Sequence, residues 1–399
     1  MFSNPYEKNS QRSDSFLPNH GGALAAAAEH FNIPLSDWLD ISTGINPQGW
    51  SVPAIPPEVW QRLPEYLPEC SPKNELRDSQ TLQNSSLEAI ALQYYLQNTA
   101  ANTNQPSSEN VLSCAGSQQA IRLLPHLYQK QLSETPTRHN AAKVWVTAGS
   151  FNEHAKAWEQ QGHRVCQVAC DRIAQLLVQQ PVDVLILVNP DNPSGHNWNA
   201  EQLIKWWSIL QRRGGWLIVD EAFMDTTAGQ SLVPFVEREG LFVLRSVGKF
   251  FGLAGIRLGF MFAAKQSIKR ADKMLGPWAL SHPAQYIGKL ALQDSDWIKQ
   301  QQQQLLESSE RLQLLLKKYL PYKVHGTQLF STIYFNHAER LFNCLAKQGV
   351  LTRYLPATNK SQAALRFGLP ANTEDNWQQL ERALAQAVAE LTKTVSQPC

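Results

Sequence analysis

The segment S-V-G-K-F-F-G-L-A-G-I-R-L-G occupies residues 246–259 and directly follows an apolar run that ends at Leu244. This order predicts a lysine, Lys249, on a turn at the end of a buried strand, with the hydroxyl of Ser246 and the guanidinium of Arg257 nearby. A lysine packs poorly there but can form a Schiff base with an aldehyde cofactor. Because a planar guanidinium matches phosphate oxygens, Ser246 and Arg257 are candidates for binding the cofactor's phosphate. A surface lysine beside a glycine-rich turn is the alternative.

The composition is that of an ordinary globular protein. Of the 399 residues, 43% are hydrophobic and 18% are charged, and the formal net charge is +2. This length allows two domains with substantial cores, and this charge offers no electrostatic footprint for nucleic acid or an anionic membrane. The first residues lack the apolar segment of a signal peptide, and no window approaches 18 apolar residues. We therefore expect a cytoplasmic protein without a membrane span.

The six cysteines do not have the spacing of a metal site. The sequence contains no C-x-x-C pair, and no histidine lies at zinc spacing from a cysteine. Cys166 and Cys170 lie four residues apart on a predicted strand and its exit, which favours two buried thiols over a metal clip. We therefore expect reduced thiols, in keeping with the cytoplasm, and no bound metal.

Short apolar runs alternate with amphipathic segments over the first two thirds of the chain. This alternation predicts an α/β fold, with βαβ units around a mostly parallel sheet that is covered on both faces. The predicted strands lie at 111–114, 143–147, 164–168, 182–188, 216–220, 242–244 and 259–263. The predicted helices lie at 118–129, 153–161, 201–213 and 268–274.

The pattern changes after about residue 283. A long helical segment is interrupted near 294–296, and later strands and helices are predicted at 322–324, 332–335, 338–348 and 374–392. This mixture predicts a smaller α+β domain. We expect an N-terminal arm at 1–50 that joins the small domain, a large domain at 51–282 and the small domain at 283–399.

Two turns at predicted strand ends offer polar groups. Gly116 and Ser117 lie between a strand and a helix, where exposed amides and the positive helix end can bind an anion; N-capping by Ser117 is the alternative. The segment N-P-D-N-P-S-G at 189–195 follows another strand and builds a rigid turn. This turn can direct the amide of Asn192 towards a ring hydroxyl, or it can serve as a structural turn only.

Two charged residues lie in apolar segments. Asp220 ends the run W-L-I-V-D, and a carboxylate at the end of a buried strand is costly unless it meets a cation. A protonated pyridine nitrogen is such a cation; a salt bridge or a helix cap is the alternative. Arg366 lies within A-L-R-F-G, where it can bind a carboxylate through two parallel hydrogen bonds or extend to solvent from an edge strand.

The ordered set N-P-x-N-P-S-G, D-E-A-F and S-x-x-K, with an arginine eight residues after the lysine, resembles the fold-type I pyridoxal-phosphate enzymes of the class I/II aminotransferase superfamily. The resemblance covers nearly the whole chain and implies a homodimer with pyridoxal 5'-phosphate as cofactor. It implies that Lys249 is the Schiff-base lysine, that Asp220 pairs with the pyridine nitrogen and that Asn192 reaches the ring hydroxyl. It implies a stacked ring at Phe151, for which a packing role is the alternative. It implies a phosphate site made of Gly116, Ser117, Ser246 and Arg257.

Two positions depart from the family pattern. Phe223 stands where many relatives carry a tyrosine that donates to the ring hydroxyl, and phenylalanine cannot donate. Tyr66 is a candidate for the tyrosine that reaches the phosphate across the dimer, although L-P-E-Y-L-P-E matches the usual Y-P-D-P poorly.

The N-terminal region narrows the resemblance. The motifs H-G-G and D-I-S-T-G-I-N-P-Q-G are similar to those of the threonine-phosphate decarboxylase family of cobalamin biosynthesis, in which D-E-A-F is also common. That resemblance implies decarboxylation of L-threonine O-3-phosphate to (R)-1-aminopropan-2-yl phosphate. The predicted substrate-binding residues are His20, Gly21, Asn46 and Arg366. A capping or packing role for His20 is the alternative.

Two other functions stay open on the sequence. Arg366 is placed to hold a substrate carboxylate as a transaminase does, so the alternative is an aminotransferase for a phosphorylated amine such as histidinol phosphate. A cofactor-binding regulator or scaffold without turnover is a third hypothesis, against which the presence of Lys249 argues.

Overall fold

The structure is a computed structural model that describes residues 16–18, 20–64, 86–97, 106–133, 141–359 and 361–395. Its strands are, in chain order, β1 (Leu39–Asp40), β2 (Val111–Cys114), β3 (Lys143–Thr147), β4 (Arg164–Val168), β5 (Val184–Val188), β6 (Trp216–Asp220), β7 (Leu241–Ser246), β8 (Gly259–Ala263), β9 (Val324–Thr327), β10 (Phe330–Tyr334), β11 (Val350–Leu351), β12 (Arg353–Leu355) and β13 (Ala364–Gly368). Its α-helices are α1 (Leu24–Phe31), α2 (Pro57–Gln61), α3 (Leu87–Leu96), α4 (Ser117–Ser133), α5 (Glu153–Gln160), α6 (Ile173–Gln179), α7 (Ala200–Gln211), α8 (Lys265–Leu275), α9 (His282–Gln293), α10 (Ser295–Tyr319), α11 (Ala338–Ala346) and α12 (Glu374–Val395).

The largest sheet of the described chain has seven strands in the order β2-β8-β7-β6-β5-β3-β4. Strand β8 runs antiparallel to both of its neighbours, and the other pairs are parallel. Alternate residues of β5 explain why its sequence is a continuous apolar run: Ile186 packs against α4 and α5, and Leu185 packs into the core on the opposite face. The predicted α/β class, with a seven-stranded and mostly parallel sheet, is confirmed.

A second sheet of four antiparallel strands has the order β12-β13-β10-β9. The predicted strands at 322–324 and 332–335 lie at 324–327 and 330–334 in the structure, since residues 328–329 form a tight turn between them. The predicted break between the two long helices is confirmed, because Asp294 caps α10 by accepting a hydrogen bond of 3.1 Å from the Trp297 amide. Strand β1 pairs in parallel with β11, which is the contact that an N-terminal arm joining a small domain requires. The two boundaries between the three predicted segments stay a prediction.

The prediction of two buried thiols at Cys166 and Cys170 is wrong. Cys166 is exposed and Cys170 is half-buried, and both are free. The reason is that β4 is an edge strand of the large sheet and exposes most of its side chains to solvent.

Two other predictions concern the N-terminal half and the membrane. Tyr66 lies outside the described residues. None of the described helices is long and apolar enough to cross a membrane.

Candidate active site

Most of the predicted site residues lie at one edge of the large sheet. Asp220 ends β6 and Ser246 ends β7, and the N-P-D-N-P-S-G turn follows β5. The carboxyl ends of parallel strands meet at the same edge, where open α/β sheets bind their ligands. Arg257 precedes β8, which runs antiparallel, so this residue reaches the same edge from the opposite direction.

The predicted phosphate site contains a turn that packs closely against an arginine. Gly116 has a φ of +75°, and a Cβ atom there would lie 2.7 Å from Nη2 of Arg257. The Arg257 side chain is otherwise exposed, and its Nη1 donates to the Ala254 carbonyl at 3.2 Å. A Cβ on Gly259 would lie 2.5 Å from the Ser117 amide, and Gly259 pairs with Ser246. The structure therefore brings the predicted phosphate-binding residues together around the start of α4.

Lys249 is half-buried and lies among three charged residues of the predicted site. Burial, together with the charges of Arg366 and Arg257, lowers the pKa of its amine to about 8, although the Asp220 carboxylate acts in the opposite direction. Its Nζ lies 5.4 Å from the centre of the Phe223 ring. An amine with this pKa is partly neutral near physiological pH, so it can act as a nucleophile or exchange a proton.

Asp220 has a buried histidine as its partner, and sequence reasoning missed that histidine. The Oδ2 atom of Asp220 lies 3.0 Å from Nε2 of His154, and its Oδ1 accepts a hydrogen bond of 3.1 Å from the Ala222 amide. Both side chains are nearly inaccessible to solvent. His154 lies in the first turn of α5, and its ring meets that of Phe151 edge-on at 6.2 Å. Its place three residues after Phe151 was the only available signal in the sequence.

Arg366 is buried on an internal strand, so the edge-strand alternative is wrong. Strand β13 lies between β12 and β10, and Arg366 is 7% exposed. Its Nη1 donates to Oδ1 of Asn192 and its Nη2 donates to the Ser42 carbonyl at 2.8 Å, whereas its buried Nε has no partner. None of the ion pairs in the described part of the chain includes Arg366. An anionic ligand would supply the missing negative charge.

Arg353 is a second arginine at this place, and the sequence reasoning did not select it. It pairs with Arg366 across β12 and β13, and its Nη1 donates to the Pro18 carbonyl. Burial and the neighbouring Arg353 charge together lower the pKa of Arg366 to about 10. Burial also lowers the pKa of Arg353. Two facing cations are unfavourable unless an anion lies between or beside them.

The N-terminal glycines lie against the residue that anchors Arg366. A Cβ on Gly21 would lie 2.4 Å from the Ser42 carbonyl oxygen, and the Gly22 amide donates to the Ser42 hydroxyl at 2.8 Å. Gly21 therefore lies against the carbonyl to which Arg366 donates, and its role in substrate binding stays a prediction. His20 is exposed, and its Nε2 lies 3.7 Å from Oε1 of Glu153.

Asn46 uses both ends of its amide within the protein. Its Nδ2 donates to the Phe250 carbonyl at 2.8 Å, and its Oδ1 accepts from the Gln48 amide at 2.9 Å and from Gln301 at 3.4 Å. The Asn46 backbone amide also donates to the Lys249 carbonyl at 2.9 Å. This geometry anchors the segment that follows Lys249 and does not support the predicted contact of the Asn46 side chain with a substrate.

A family model described as aminotransferase class I and II matches residues 36–384. A protein of Pseudomonas aeruginosa strain PAO1 named threonine-phosphate decarboxylase is 40% identical over 365 residues, which cover 92% of this chain and 96% of that protein. A protein of the same name from Sinorhizobium sp. is 32% identical over 376 residues, which cover 93% and 98% of the two chains. Among solved structures, histidinol-phosphate aminotransferase from Sinorhizobium meliloti in complex with pyridoxal-5'-phosphate matches with a TM-score of 0.64 and 19% identity, over 77% of this chain and 83% of that one.

Proposed function

Since the chain belongs to the aminotransferase class I and II family, we propose that it decarboxylates L-threonine O-3-phosphate to (R)-1-aminopropan-2-yl phosphate and carbon dioxide, with pyridoxal 5'-phosphate as cofactor. The observation that carries this proposal is the placement of Lys249 within the electrostatic reach of both Asp220 and Arg366. Such a site can hold a cofactor ring at one end and an amino-acid substrate at the other. We propose that the product supplies the linker of the nucleotide loop in cobalamin biosynthesis.

The described residues fit pyridoxal 5'-phosphate. The guanidinium of Arg257 packs directly against Gly116 at the start of α4, where a Cβ would lie 2.7 Å from its Nη2, and a guanidinium beside a helix start suits a phosphate. We propose that Gly116, Ser117, Ser246 and Arg257 bind the phosphate, that Phe151 stacks on the ring and that Asn192 contacts the ring hydroxyl. Phe223 packs edge-on against Phe330 at 5.1 Å and has no donor, which leaves this contact to Asn192.

The buried carboxylate of Asp220 suits a protonated ring nitrogen. When bound, the cofactor supplies an aldehyde for covalent attachment and a protonated ring that accepts the electron pair released at Cα. Asp220 stabilises that positive ring, because a buried carboxylate pairs strongly with a cation. His154 holds the orientation of the Asp220 carboxylate through the contact of 3.0 Å at Oδ2.

Lys249 serves both as the attachment point of the cofactor and as the group that moves a proton. Because its pKa is lowered to about 8, both forms of the side chain are populated near that pH: the neutral amine, which can attach to the cofactor, and the ammonium, which can donate a proton. When the carboxylate leaves as carbon dioxide, Cα must gain a proton in its place, and the ammonium form of Lys249 would donate that proton. Such general-acid catalysis contributes about 10²–10⁴ in rate.

The substrate carries a carboxylate and a phosphate, which match the two facing arginines. We propose that Arg366 binds one of these anions and Arg353 the other, with Gly21 and His20 beside them. If the two anions and the amine of the substrate are all held, the orientation of the substrate about Cα is fixed. That orientation would select which bond at Cα breaks. That choice separates loss of the carboxylate from loss of the Cα proton.

The second candidate function is amino transfer with a phosphorylated amine such as histidinol phosphate. The site would hold that substrate with the same arginines. The names of the relatives at 40% and 32% identity favour decarboxylation, whereas the structure with the aminotransferase name is 19% identical.

We also propose a homodimer in the cytoplasm. Trp60 is 64%, Leu63 66% and Trp278 53% exposed, which is unusual for large apolar side chains. The Nδ1 atom of His282, which opens α9, lies 3.2 Å from the Arg62 carbonyl, so Trp60 and Leu63 neighbour the segment that carries Trp278. A second copy covering this surface would remove the apolar area from water.

The test supplies carboxyl-labelled threonine phosphate to the cofactor-loaded enzyme without any keto acid. We expect stoichiometric labelled carbon dioxide and aminopropanol phosphate, and neither product with Lys249→Ala. If the enzyme instead transfers the amino group of histidinol phosphate to a keto acid and releases no carbon dioxide from threonine phosphate, the second candidate function replaces the first.

A further inference from the structure

Asp191 is the third residue of the N-P-D-N-P-S-G turn, and the proposed function gives it no role. Its side chain is 2% exposed. The Ser150 hydroxyl donates to Oδ1, and the Ser194 hydroxyl and amide donate to Oδ2, the amide at 3.2 Å. None of the ion pairs among the described residues includes Asp191.

Burying this carboxylate without a close ion pair is costly. Burial raises the pKa of Asp191, and the hydrogen bonds from Ser150 and Ser194, with a smaller contribution from the nearby His196, only partly oppose that change. A neutral residue would hold a local turn without this cost. The position therefore points to a requirement for a strong acceptor that reaches beyond its own turn.

The bond from Ser150 crosses between two turns of the active site. Ser150 directly precedes Phe151 at the exit of β3, and Asp191 directly precedes Asn192 at the exit of β5, the neighbouring strand. One carboxylate thus connects the proposed ring stack to the proposed partner of the ring hydroxyl.

The Asp191 turn is also attached to the small sheet. Oδ1 of Asn192 accepts a hydrogen bond from Arg366, and the Pro193 carbonyl accepts one of 2.8 Å from the Thr332 hydroxyl. Gly195 lies so close to the chain at Gly326 that a Cβ on it would be 2.2 Å from the Gly326 carbonyl oxygen. The turn can therefore shift little on that side. Through its hydrogen bond with Ser150, Asp191 holds the Phe151 turn in place against this fixed turn.

We propose that Asp191 is a positioning residue that fixes the Phe151 turn relative to Asn192 and Arg366, and thereby sets how tightly the cofactor ring is held. This inference rests on the proposed function only in assuming that pyridoxal 5'-phosphate is the cofactor. It does not depend on which reaction follows.

The test measures how tightly the apoprotein binds pyridoxamine 5'-phosphate, which lacks the aldehyde and so reports the noncovalent contacts alone. The variants are Ser150→Ala, Asp191→Ala and the double variant. Asp183→Asn is the matched control, because Oδ2 of Asp183 accepts a hydrogen bond of 2.7 Å from the Lys143 amide across the same two strands, at their opposite ends. The thermal midpoint of each apoprotein reports stability separately.

We expect Ser150→Ala to weaken binding about tenfold, the size of one charge-assisted hydrogen bond. The double variant should bind no more weakly than Asp191→Ala, because both changes remove the same link. The apoprotein of Ser150→Ala should melt within a few degrees of the wild type, and Asp183→Asn should bind normally.

If Ser150→Ala binds as tightly as the wild type, or if binding falls only in proportion to the thermal midpoint, the positioning role is wrong. If the wild-type apoprotein itself does not bind pyridoxamine 5'-phosphate, the proposed function fails instead, so the two failures are distinct.

Discussion

The Nε2 atom of His154 lies 3.0 Å from Oδ2 of Asp220, and both side chains are almost completely buried. A histidine in this position can hold the carboxylate orientation by donating its Nε2 hydrogen. The carboxylate can then present its charge towards the ring nitrogen of the proposed cofactor.

Removing the partner of the carboxylate should reduce turnover without unfolding the protein. We expect His154→Phe to lower kcat about 10–100-fold, since it removes a hydrogen bond to a charged group. His154→Asn can still donate and should recover part of this loss. Equal rates in both variants, measured with cofactor at saturation, would show that the histidine only packs.

Asp220→Ala is the stronger change at the same place. It would leave the cation of the cofactor ring without its buried partner, and the loss of one partner from a buried ion pair costs about 3–5 kcal/mol in free energy. We therefore expect a large loss of turnover, measured as kcat with cofactor at saturation. A variant with wild-type turnover would remove Asp220 from the proposed mechanism.

The apoprotein should capture pyridoxal 5'-phosphate faster as pH rises through about 8. Burial and the Arg366 charge disfavour the ammonium form of Lys249, so its pKa lies near 8 and not near the ordinary 10.5. Between these two values the unfolded chain binds more protons at this position than the folded chain, so the contribution of Lys249 to stability also rises with pH. The measurement is the rate of absorbance change after mixing, from pH 6 to 10.

Arg366→Gln should move this midpoint upwards, because it removes a neighbouring positive charge. A midpoint that stays near 10.5 in the wild type would contradict the electrostatic description of Lys249.

The two facing arginines should respond differently to the removal of the substrate phosphate. Arg353→Gln and Arg366→Gln should each lower kcat/KM for threonine phosphate about 10²–10³-fold, since each leaves a buried anion without a cation. Threonine lacks the phosphate. With threonine as substrate, the variant of the phosphate-binding arginine should therefore have almost the same kcat/KM as the wild type. If both variants lose the same factor with both compounds, the arginines do not divide the two anions between them.

A buried ionic cluster behind the site should dominate the mutational stability of this region. Nη1 of Arg245 lies 3.0 Å from Glu221 and Nη2 lies 3.2 Å from Asp225, and all three side chains are buried. Arg245→Met should lower the free energy of unfolding by about 3–5 kcal/mol, since two buried carboxylates lose their cation.

The control for that experiment is Lys205→Ala, which breaks an exposed pair with Glu201 four residues earlier on α7. Such a pair contributes about 0.3–0.5 kcal/mol. Denaturant titration of the apoproteins measures the free energy of unfolding of both variants. Equal losses would contradict the prediction that the buried cluster contributes more to stability than the exposed pair.

Local patterns in the sequence were sufficient for the large sheet. The apolar run of β5 is buried on every residue, and the structure begins it at Val184, two residues later than predicted. Short strands such as β1 and β11 escaped prediction, because a two-residue strand has no periodicity and exists only through its partner.

The site was predicted as a set of residues but not as a set of contacts. His154 and Arg353 were missed, since each is ordinary in its local sequence and becomes notable only beside Asp220 or Arg366. Asn46 was selected for its motif, whereas its amide is engaged by the Phe250 carbonyl and the Gln48 amide.

The sequence by itself determined the fold class and the order of the strands along the chain, and it singled out Lys249 as a candidate, because these depend on hydrophobic pattern and on motifs within a few residues. Only the tertiary structure decided which charges face one another. Asp220 and His154, or Arg353 and Arg366, come together through strand order and register, and electrostatic energy depends on distance and burial that no local segment contains.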